Sequence, residues 1–242
     1  MKVSTLLLAA QAPSACLAGI GHTWSFSSSP AGGMKDVTFG FDVSGAAHRR
    51  GYYFANQFNF QNVKEVSYTG VQPQTDAAGG RASIRGVFSS FQRGATSTHP
   101  NCSDGADGGD GVSCGVTIDV SDFSGRFDCV VENIGGTRWR GTLKNDAQGI
   151  SVVIGEFSQP AGAGGVTKGQ MGFLEYFLAN GNPNFKCHDQ FKTKVSYYFP
   201  TSRTPGAGTG TIPKPYEYGS CVGDQGFSTS SGPNYWTINT GF

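Results

Sequence analysis

The sequence predicts an all-β protein, a two-sheet antiparallel β-sandwich of the jelly-roll or concanavalin-like kind. Apolar residues recur at every second position in segments 37–43 and 51–60. This is the period of a half-buried strand, whereas a helix would repeat every three to four residues. The chain also holds 37 glycines among its 242 residues, and no segment has convincing helical spacing. Many short strands joined by glycine-rich turns are typical of all-β folds.

The first 18 residues have the features of a secretory signal peptide. Lys2 precedes a short apolar run at 6–10, and small residues lead to a cleavage site after Ala18. The apolar run is far shorter than the roughly 20 residues that cross a bilayer. We therefore expect a secreted, extracellular protein whose residues 19–242 form a single β-sandwich domain.

The charge balance bears on the partners of this domain. Loss of Lys2 with the leader takes one from the 18 basic residues and leaves 17, which equals the 17 acidic residues. A neutral chain argues against nucleic acid, whose binding depends on a large basic footprint. It gives no support for a membrane partner either. An uncharged partner fits this balance best.

Further strands follow the first two along the chain. Their predicted ranges are 65–71, 82–91, 115–120, 126–132, 137–143, 150–157, 172–178, 192–199 and 235–238, the last at an edge. Segments 160–165 and 201–215 are rich in glycine, proline, alanine and threonine, which predicts surface loops. These connections are too short to separate independent domains.

The cysteines agree with an oxidising compartment. Cys16 leaves with the leader, and five cysteines remain. Spacing favours a bridge between Cys102 and Cys114 and another between Cys187 and Cys221. Cys129 lies in a predicted strand, and its pairing stays open between a buried thiol, an intermolecular bridge and a different intramolecular arrangement.

Strand parity divides the side chains of segment 51–60 into two faces. Tyr52, Phe54 and Phe58 share the face expected in the core, while Tyr53 and Gln57 share the other. An outer face with aromatic, amide and guanidinium groups is suited to sugar hydroxyls. The predicted ligand-binding residues are Tyr53, Gln57, Asn59, Gln72, Arg85 and Arg138. The alternative is an ordinary solvated outer face.

Two residues are candidates for catalysis. Glu175 has the parity of Met171, Phe173 and Phe177, which places a carboxyl group among apolar side chains. A buried carboxyl of this kind suits proton transfer in a glycosidase, although a purely structural acid remains an alternative. Tyr53 is the candidate base of a lyase, in which glutamine and arginine side chains would neutralise a uronate.

A calcium site is a weak candidate in segment 104–110. Asp104, Asp107 and Asp110 offer three carboxylates among glycines that permit sharp turns. The spacing does not match an EF-hand, so a solvated, disulfide-closed loop is the favoured interpretation and no cofactor is expected. Asn101 begins an N-glycosylation acceptor sequence, which early pairing of Cys102 would mask.

Several segments in combination resemble a secreted fungal and bacterial family named domain of unknown function 3472. They are 51–58, 70–73, 87–89, 101–102, 111–114, 139–141, 154–155 and 172–177. The resemblance covers most of the chain after the leader. It implies a secreted β-sandwich, with no established activity and no catalytic residues to transfer.

These observations predict a secreted carbohydrate-recognition protein that binds a cell-wall or host polysaccharide or oligosaccharide. One alternative is a carbohydrate-active enzyme, a polysaccharide lyase or glycoside hydrolase, that uses the same face. Another is an effector or wall protein that binds a protein partner, which an exposed apolar edge at 235–238 would favour. No histidine pair has metal-ligand spacing, which argues against zinc.

Overall fold

The computed structural model describes residues 19–242, and these residues form two antiparallel sheets packed face to face. The strands in chain order are β1 (Gly19–Phe26), β2 (Asp36–Asp42), β3 (Tyr52–Phe58), β4 (Ser67–Pro73), β5 (Ala82–Ser90), β6 (Cys102–Asp104), β7 (Val112–Val120), β8 (Phe127–Gly135), β9 (Arg138–Asn145), β10 (Ile150–Ser158), β11 (Gly169–Tyr176), β12 (Thr193–Tyr198), β13 (Gly210–Thr211), β14 (Tyr216–Tyr218), β15 (Ser228–Ser231) and β16 (Tyr235–Thr240). The predicted all-β sandwich is confirmed. The predicted signal peptide lies outside the described residues.

Helical structure within 19–242 is limited to three short 3-10 turns. They span Asp146–Gln148, Phe177–Ala179 and Cys187–Asp189. Within the described part of the chain, no helix has the length and apolar character needed to cross a membrane.

The nine-stranded sheet has the order β13-β1-β11-β3-β4-β5-β7-β6, and β14 also pairs with β1. The seven-stranded sheet has the order β10-β9-β8-β2-β12-β16-β15. Strands β11, β3 and β4 are therefore neighbours in the middle of the larger sheet. This adjacency matters because the candidate site is built on those three strands.

Large aromatic side chains fill the space between the two sheets. The largest fully buried ones are Trp24, Trp139, Tyr52, Tyr197, Phe39, Phe41, Phe54, Phe58, Phe60, Phe88, Phe123 and Phe127. Inward and outward residues alternate along each strand, as pleating requires. The predicted inward face of β3 is confirmed, since Tyr52, Phe54 and Phe58 are all buried in this core.

A small polar cluster lies inside the core beneath β11. The Nε2 atom of His22 is 3.0 Å from Oδ1 of Asn56, and the imidazole packs edge-on against Tyr197. Gly172 borders this pair, because a Cβ there would lie 2.2 Å from both His22 and Asn56. Complete burial, partly offset by the bond to Asn56, lowers the pKa of His22 to about 4. The histidine is therefore a neutral core residue.

The nine further strands predicted from the sequence agree with observed strands to within a few residues. One correction concerns 235–238, which was expected at an edge. Strand β16 pairs with β12 on one side and β15 on the other, so it is covered on both sides. Ile238 is fully buried, and the indole of Trp236 donates to the carbonyl oxygen of Ile212 at 2.8 Å. The apolar edge that would have favoured a protein partner is therefore not exposed.

Both predicted disulfides are confirmed. Cys102 bonds to Cys114 across the β6–β7 hairpin, and Cys187 bonds to Cys221. Cys129 is a buried free thiol whose pKa is raised to about 12, mainly by burial. Asn101 is part-buried, and its amide donates to the carbonyl oxygen of Val153 at 3.2 Å. This bond occupies the nitrogen that glycosylation would modify.

Candidate active-site cleft

The candidate site lies on the outer face of the nine-stranded sheet. Strand register places Glu175 of β11 directly beside Tyr53 of β3. Four residues further along β3, Gln57 pairs with Tyr68 of β4. Alternate residues of a strand point to the same face. Polar side chains from three neighbouring strands therefore project on the same side of the sheet, including Gln72 of β4.

Small residues lie between these polar positions on β3 and β4 and leave room for aromatic rings. Ala55 of β3 is paired with Gly70 of β4. Tyr53, Tyr68 and Phe173 pack with Ala55 in a buried cluster separate from the main core. The ring centroid of Tyr53 lies 5.4 Å from that of Tyr68 and 5.6 Å from that of Phe173, both edge-on. The floor of the site is thus aromatic and rigidly packed.

Above this floor is a cleft of about 260 Å³. Its polar lining consists of Arg50, Tyr53, Gln57, Tyr68, Gln72, Asp107, Glu175 and Asn180, and its apolar lining of Phe91, Phe173 and Phe177. A cleft with aromatic walls and convergent polar groups is a common form of a small binding or catalytic site.

Glu175 stands near the end of β11, on one side of the cleft. The side-chain amide of Asn180 donates to its Oε1 atom at 2.8 Å. Asn180 follows the short 3-10 turn Phe177–Ala179, so the turn that ends β11 also positions the donor. The guanidinium of Arg50 lies 4.9 Å from the ring centre of Phe177, at the same end. The carboxyl group of Glu175 is therefore held in a defined orientation.

Asp107 forms the opposite side of the cleft. It lies at the tip of the β6–β7 hairpin, which the disulfide between Cys102 and Cys114 closes. The phenol of Tyr68 donates to its carboxylate, with both oxygens 3.2 Å away. Since β5 separates β4 from β7 in the sheet, the hairpin tip must fold back across β5 to make this contact.

Two backbone features make this return possible. Asp107 has a positive φ of 49°, a region that aspartate tolerates better than most residues. Gly111 has a φ of 96°, and a Cβ there would lie 1.9 Å from the carbonyl oxygen of Ser90. Any side chain at 111 would push the hairpin away from β5. Ala106, buried in the tip, further fixes its position.

The two phenols of the floor differ in their hydrogen bonds. Tyr68 is bonded to Asp107, whereas the hydroxyl of Tyr53 is buried and has no partner among the described residues. Burial, reinforced by Tyr68 and more weakly by other acidic groups, raises the pKa of Tyr53 well above its ordinary value. Burial and the adjacent Asp107 carboxylate likewise raise the pKa of Tyr68. Both remain protonated hydrogen-bond donors.

The structure brings four of the sequence-predicted residues together, namely Tyr53, Gln57, Gln72 and Glu175. Asn59, Arg85 and Arg138 are not part of the cleft. The amide of Gln170 donates to Asn59, and the guanidinium of Arg85 lies against Gly115. Arg138 belongs to the seven-stranded sheet and lines a separate groove with His99 and Glu156. Sequence parity located the correct face of β3 but could not show which strands flank it.

Sequence reasoning missed Tyr68, Asp107 and Asn180 as cleft residues. Tyr68 could have been found, because it lies four positions before Gln72 on the same strand and therefore on the same face. Asp107 could not, since its position depends on a hairpin that crosses a neighbouring strand. Asn180 reaches the cleft through a turn whose geometry the sequence does not specify.

The aspartates considered for calcium do not form a cluster. Asp104, Asp107 and Asp110 are all exposed on the same hairpin, and Asp107 accepts a hydrogen bond from Tyr68. Within residues 19–242, no group of three or more histidine, cysteine, aspartate or glutamate side chains is arranged to hold a metal ion. The expectation that the protein has no cofactor stays an untested prediction, and calcium remains the candidate that was considered against it.

Comparison with known proteins finds similarity in solved structures only. No family model and no curated protein matches the chain. The resemblance to domain of unknown function 3472 therefore stays a prediction. Similar solved structures include scytalido-glutamic peptidase with a peptide-based transition state analog, at 13% identity and a TM-score of 0.47. Another is SCP-B, a member of the eqolisin family of peptidases, in complex with the tripeptide Ala-Ile-His, at 12% identity and a TM-score of 0.45.

A third is scytalido-glutamic peptidase with a transition state analog inhibitor, at 14% identity and a TM-score of 0.45. In all three comparisons the match covers 93% of this chain and 98% of the other. Likeness at this level concerns the arrangement of the fold and transfers no residue role to this chain.

The prediction of a carbohydrate-recognition protein is wrong. The three similar solved structures named above are described as peptidases. The face on which the prediction depended is also not an open platform for sugars. Tyr53 and Gln57 are only 4% and 5% exposed within the cleft, and Arg85 and Arg138 lie elsewhere.

Proposed function

We propose that this protein is a secreted hydrolase that cleaves peptide bonds in the cleft, with Glu175 as its general base and general acid. The observation that carries the proposal is the placement of Glu175. Its carboxyl group lines the cleft, is oriented by Asn180 and stands beside the buried phenol of Tyr53. A positioned carboxyl group of this kind is suited to proton transfer during hydrolysis.

The reaction needs only one group to move protons. The ionised carboxylate of Glu175 removes a proton from a water molecule as the water oxygen bonds to the scissile carbonyl carbon. The carbonyl oxygen then carries the negative charge of a tetrahedral intermediate. When the intermediate collapses, the carbon–nitrogen bond breaks and the protonated Glu175 returns its proton to the leaving nitrogen. The carboxylate is regenerated for the next cycle.

The polar lining favours a peptide as the substrate. Gln57, Gln72 and Asn180 bear side-chain amides, each of which has both a donor and an acceptor. This pairing complements the N–H and C=O groups of an extended main chain. Phe91, Phe173 and Phe177 supply apolar surface for substrate side chains.

Extracellular location is part of the same proposal. The predicted leader at 1–18 and the two disulfides of the described residues support it. Disulfides persist in oxidising compartments and are rare in the reducing cytosol. A secreted hydrolase would need such stabilisation outside the cell.

A second candidate is a glycoside hydrolase, one of the enzymes expected from the sequence. The observation that favours it is the second carboxylate, Asp107, on the opposite side of the cleft from Glu175. Glycosidases need two carboxyl groups that flank the scissile bond. This is the weaker candidate, because the Asp107 carboxylate already accepts a hydrogen bond from Tyr68. The lyase expected from the sequence is not supported, because Arg85 and Arg138 lie outside the cleft, where Arg50 is the lining arginine. Burial also keeps the pKa of Tyr53 too high for a base.

The test uses the secreted, disulfide-intact protein incubated in ¹⁸O-labelled water with denatured proteins and, separately, with polysaccharides, at acidic and neutral pH. We expect new peptide termini that carry the label in the new carboxyl group, and no such products with Glu175→Gln. New reducing ends with polysaccharide, lost in Asp107→Asn as well as in Glu175→Gln, would instead support the glycosidase. No product from any substrate would contradict both.

A further inference from the structure

The cleft contains one buried polar atom without a hydrogen-bond partner, the hydroxyl of Tyr53. Tyr53 is 4% exposed, and its hydroxyl oxygen is inaccessible to solvent. The other buried tyrosines among residues 19–242 are Tyr52, Tyr68, Tyr176 and Tyr197, and each donates a hydrogen bond. Tyr53 is therefore the one buried tyrosine in this range whose hydroxyl has no hydrogen-bond partner there.

An unpaired buried hydroxyl lowers stability, because the group loses its hydrogen bonds to water without replacing them. A phenylalanine would keep the same ring contacts with Tyr68 and Phe173 and avoid this loss. Seven other buried side-chain atoms of residues 19–242 also lack a partner, but Tyr53 is the residue of this group that lines the cleft, where a ligand could supply the missing bond.

The location of the phenol indicates what it could do. Tyr53 and Glu175 are direct partners on neighbouring antiparallel strands, so their Cβ atoms lie about 5 Å apart. Burial holds the pKa of Tyr53 well above its ordinary value. The group therefore remains an O–H donor, and it cannot serve as the base that the sequence suggested.

We propose that Tyr53 is a catalytic residue whose hydroxyl donates a hydrogen bond to the scissile carbonyl oxygen as that oxygen becomes negative. This inference rests on the proposed peptide hydrolysis at Glu175. No proton is transferred from the phenol: the oxygen accepts the hydrogen bond during water attack and releases it when the carbonyl double bond re-forms. A donor already in place and shielded from water stabilises such an oxyanion effectively.

Two other groups in the cleft are less suited to this role. Tyr68 already donates to Asp107, so its hydrogen is committed. Gln57 lies four residues from Tyr53 along β3, which separates their Cα atoms by roughly 13 Å along the strand. Tyr53 is the donor adjacent to Glu175 in the register of the sheet.

The first test compares Tyr53→Phe with Tyr52→Phe. We expect Tyr53→Phe to lower kcat by about 100-fold or more, as loss of an oxyanion donor does, with KM little changed. Its thermal midpoint should equal or exceed that of the parent, because no hydrogen bond is lost. Tyr52→Phe is a matched control on the opposite face, where the phenol donates to the carbonyl oxygen of Phe191 at 2.8 Å. That variant should keep kcat and lose stability.

A second measurement separates this inference from the proposed function. Binding of a peptidyl phosphinate, a stable tetrahedral mimic, is measured with the parent and with Tyr53→Phe, alongside the matched uncleaved peptide bound to Glu175→Gln. We expect the parent to prefer the phosphinate and Tyr53→Phe to lose at least ten-fold in phosphinate affinity. Parental turnover in Tyr53→Phe, or equal phosphinate affinities in both proteins, would overturn the role of Tyr53 alone. If the parent bound the phosphinate more tightly than Tyr53→Phe did but cleaved no peptide, the result would overturn peptide hydrolysis instead.

Discussion

The outer faces of the two sheets both carry polar residues at alternate strand positions, but they satisfy those residues differently. On the seven-stranded sheet, Arg140 bonds to Glu156 at 2.7 Å. Arg126 bonds to Asp128 at 2.6 Å on the same sheet. On the nine-stranded sheet, polar groups converge on a cleft, and the buried phenol of Tyr53 has no partner among residues 19–242.

The difference shows what separates an ordinary surface from a candidate site. Ion pairs that are about one-third exposed contribute at most about 1 kcal/mol each, and their partners already use their hydrogen-bonding capacity. In the cleft, burial raises the energetic cost of polar groups, and their arrangement leaves donors available to a ligand. The two faces are both polar, and they differ in whether their polar side chains have partners within the protein.

The largest expected effect comes from comparing two variants in which glutamine replaces one glutamate, on the outer face of the larger sheet or of the smaller sheet. Glu175→Gln should reduce peptide hydrolysis by 1,000-fold or more, because an amide cannot move the proton, while Asn180 still has an oxygen to bond. Glu156→Gln changes the same chemical group in the pair with Arg140. We expect that variant to keep full activity and to lose no more than about 1 kcal/mol of unfolding free energy.

Kinetic constants and chemical denaturation of both variants check this contrast. Equal loss of activity in the two proteins would show that the cleft is not the active site. Retained activity in Glu175→Gln, with an unchanged fold by circular dichroism, would exclude Glu175 from proton transfer.

The next largest effect concerns the pH dependence of stability and arises from His22, on the core side of the larger sheet. His22 lies on β1 and pairs with Gly172 of β11. The pKa of about 4 in the folded protein lies below the ordinary histidine pKa of 6.5, so the unfolded chain binds a proton more readily between those values. Stability conferred by neutral His22 is therefore present above pH 6.5 and falls as the pH drops towards 4. The loss amounts to about 3 kcal/mol and ends once both states are protonated.

Urea unfolding at a series of pH values measures this slope. The slope between pH 6.5 and 4 should flatten in His22→Gln and persist in His188→Gln, whose side chain is 65% exposed. An unchanged slope in His22→Gln would assign the acid sensitivity to other groups.

Loss of the disulfide at the hairpin should affect the cleft as well as stability. Replacing Cys102 and Cys114 by serine opens a loop with a sequence separation of 12, which costs about 3 kcal/mol in the loop-entropy estimate. Asp107 would also lose its fixed approach to Tyr68. We expect KM to rise more than kcat falls. Unchanged kinetic constants at a lowered thermal midpoint would show that the hairpin is a structural element only.

The sequence was sufficient to predict the class of the fold and four of the eight polar residues that line the cleft. Alternation identified the outward face of β3, including Tyr53 and Gln57, because period two is a local property. It placed Arg138 on the same face in error, since nothing local shows which sheet a strand joins. It also missed β1, whose glycines and polar residues weaken the alternating pattern. Contacts such as Tyr68 with Asp107 depend on pairings distant in sequence.

The smallest expected effect separates two buried phenols that flank the same strand. Tyr197 donates to the carbonyl oxygen of Phe173 at 2.7 Å from the core side, whereas Tyr53, on the cleft side, has no partner within the described part of the chain. Tyr197→Phe should therefore lose about 1–2 kcal/mol of unfolding free energy, because a buried carbonyl oxygen is left without its donor. Tyr53→Phe should lose none. Urea denaturation of the two variants under identical conditions gives the comparison directly, and an equal loss in both would mean that the phenol of Tyr53 has a structural partner in solution, such as a bound water.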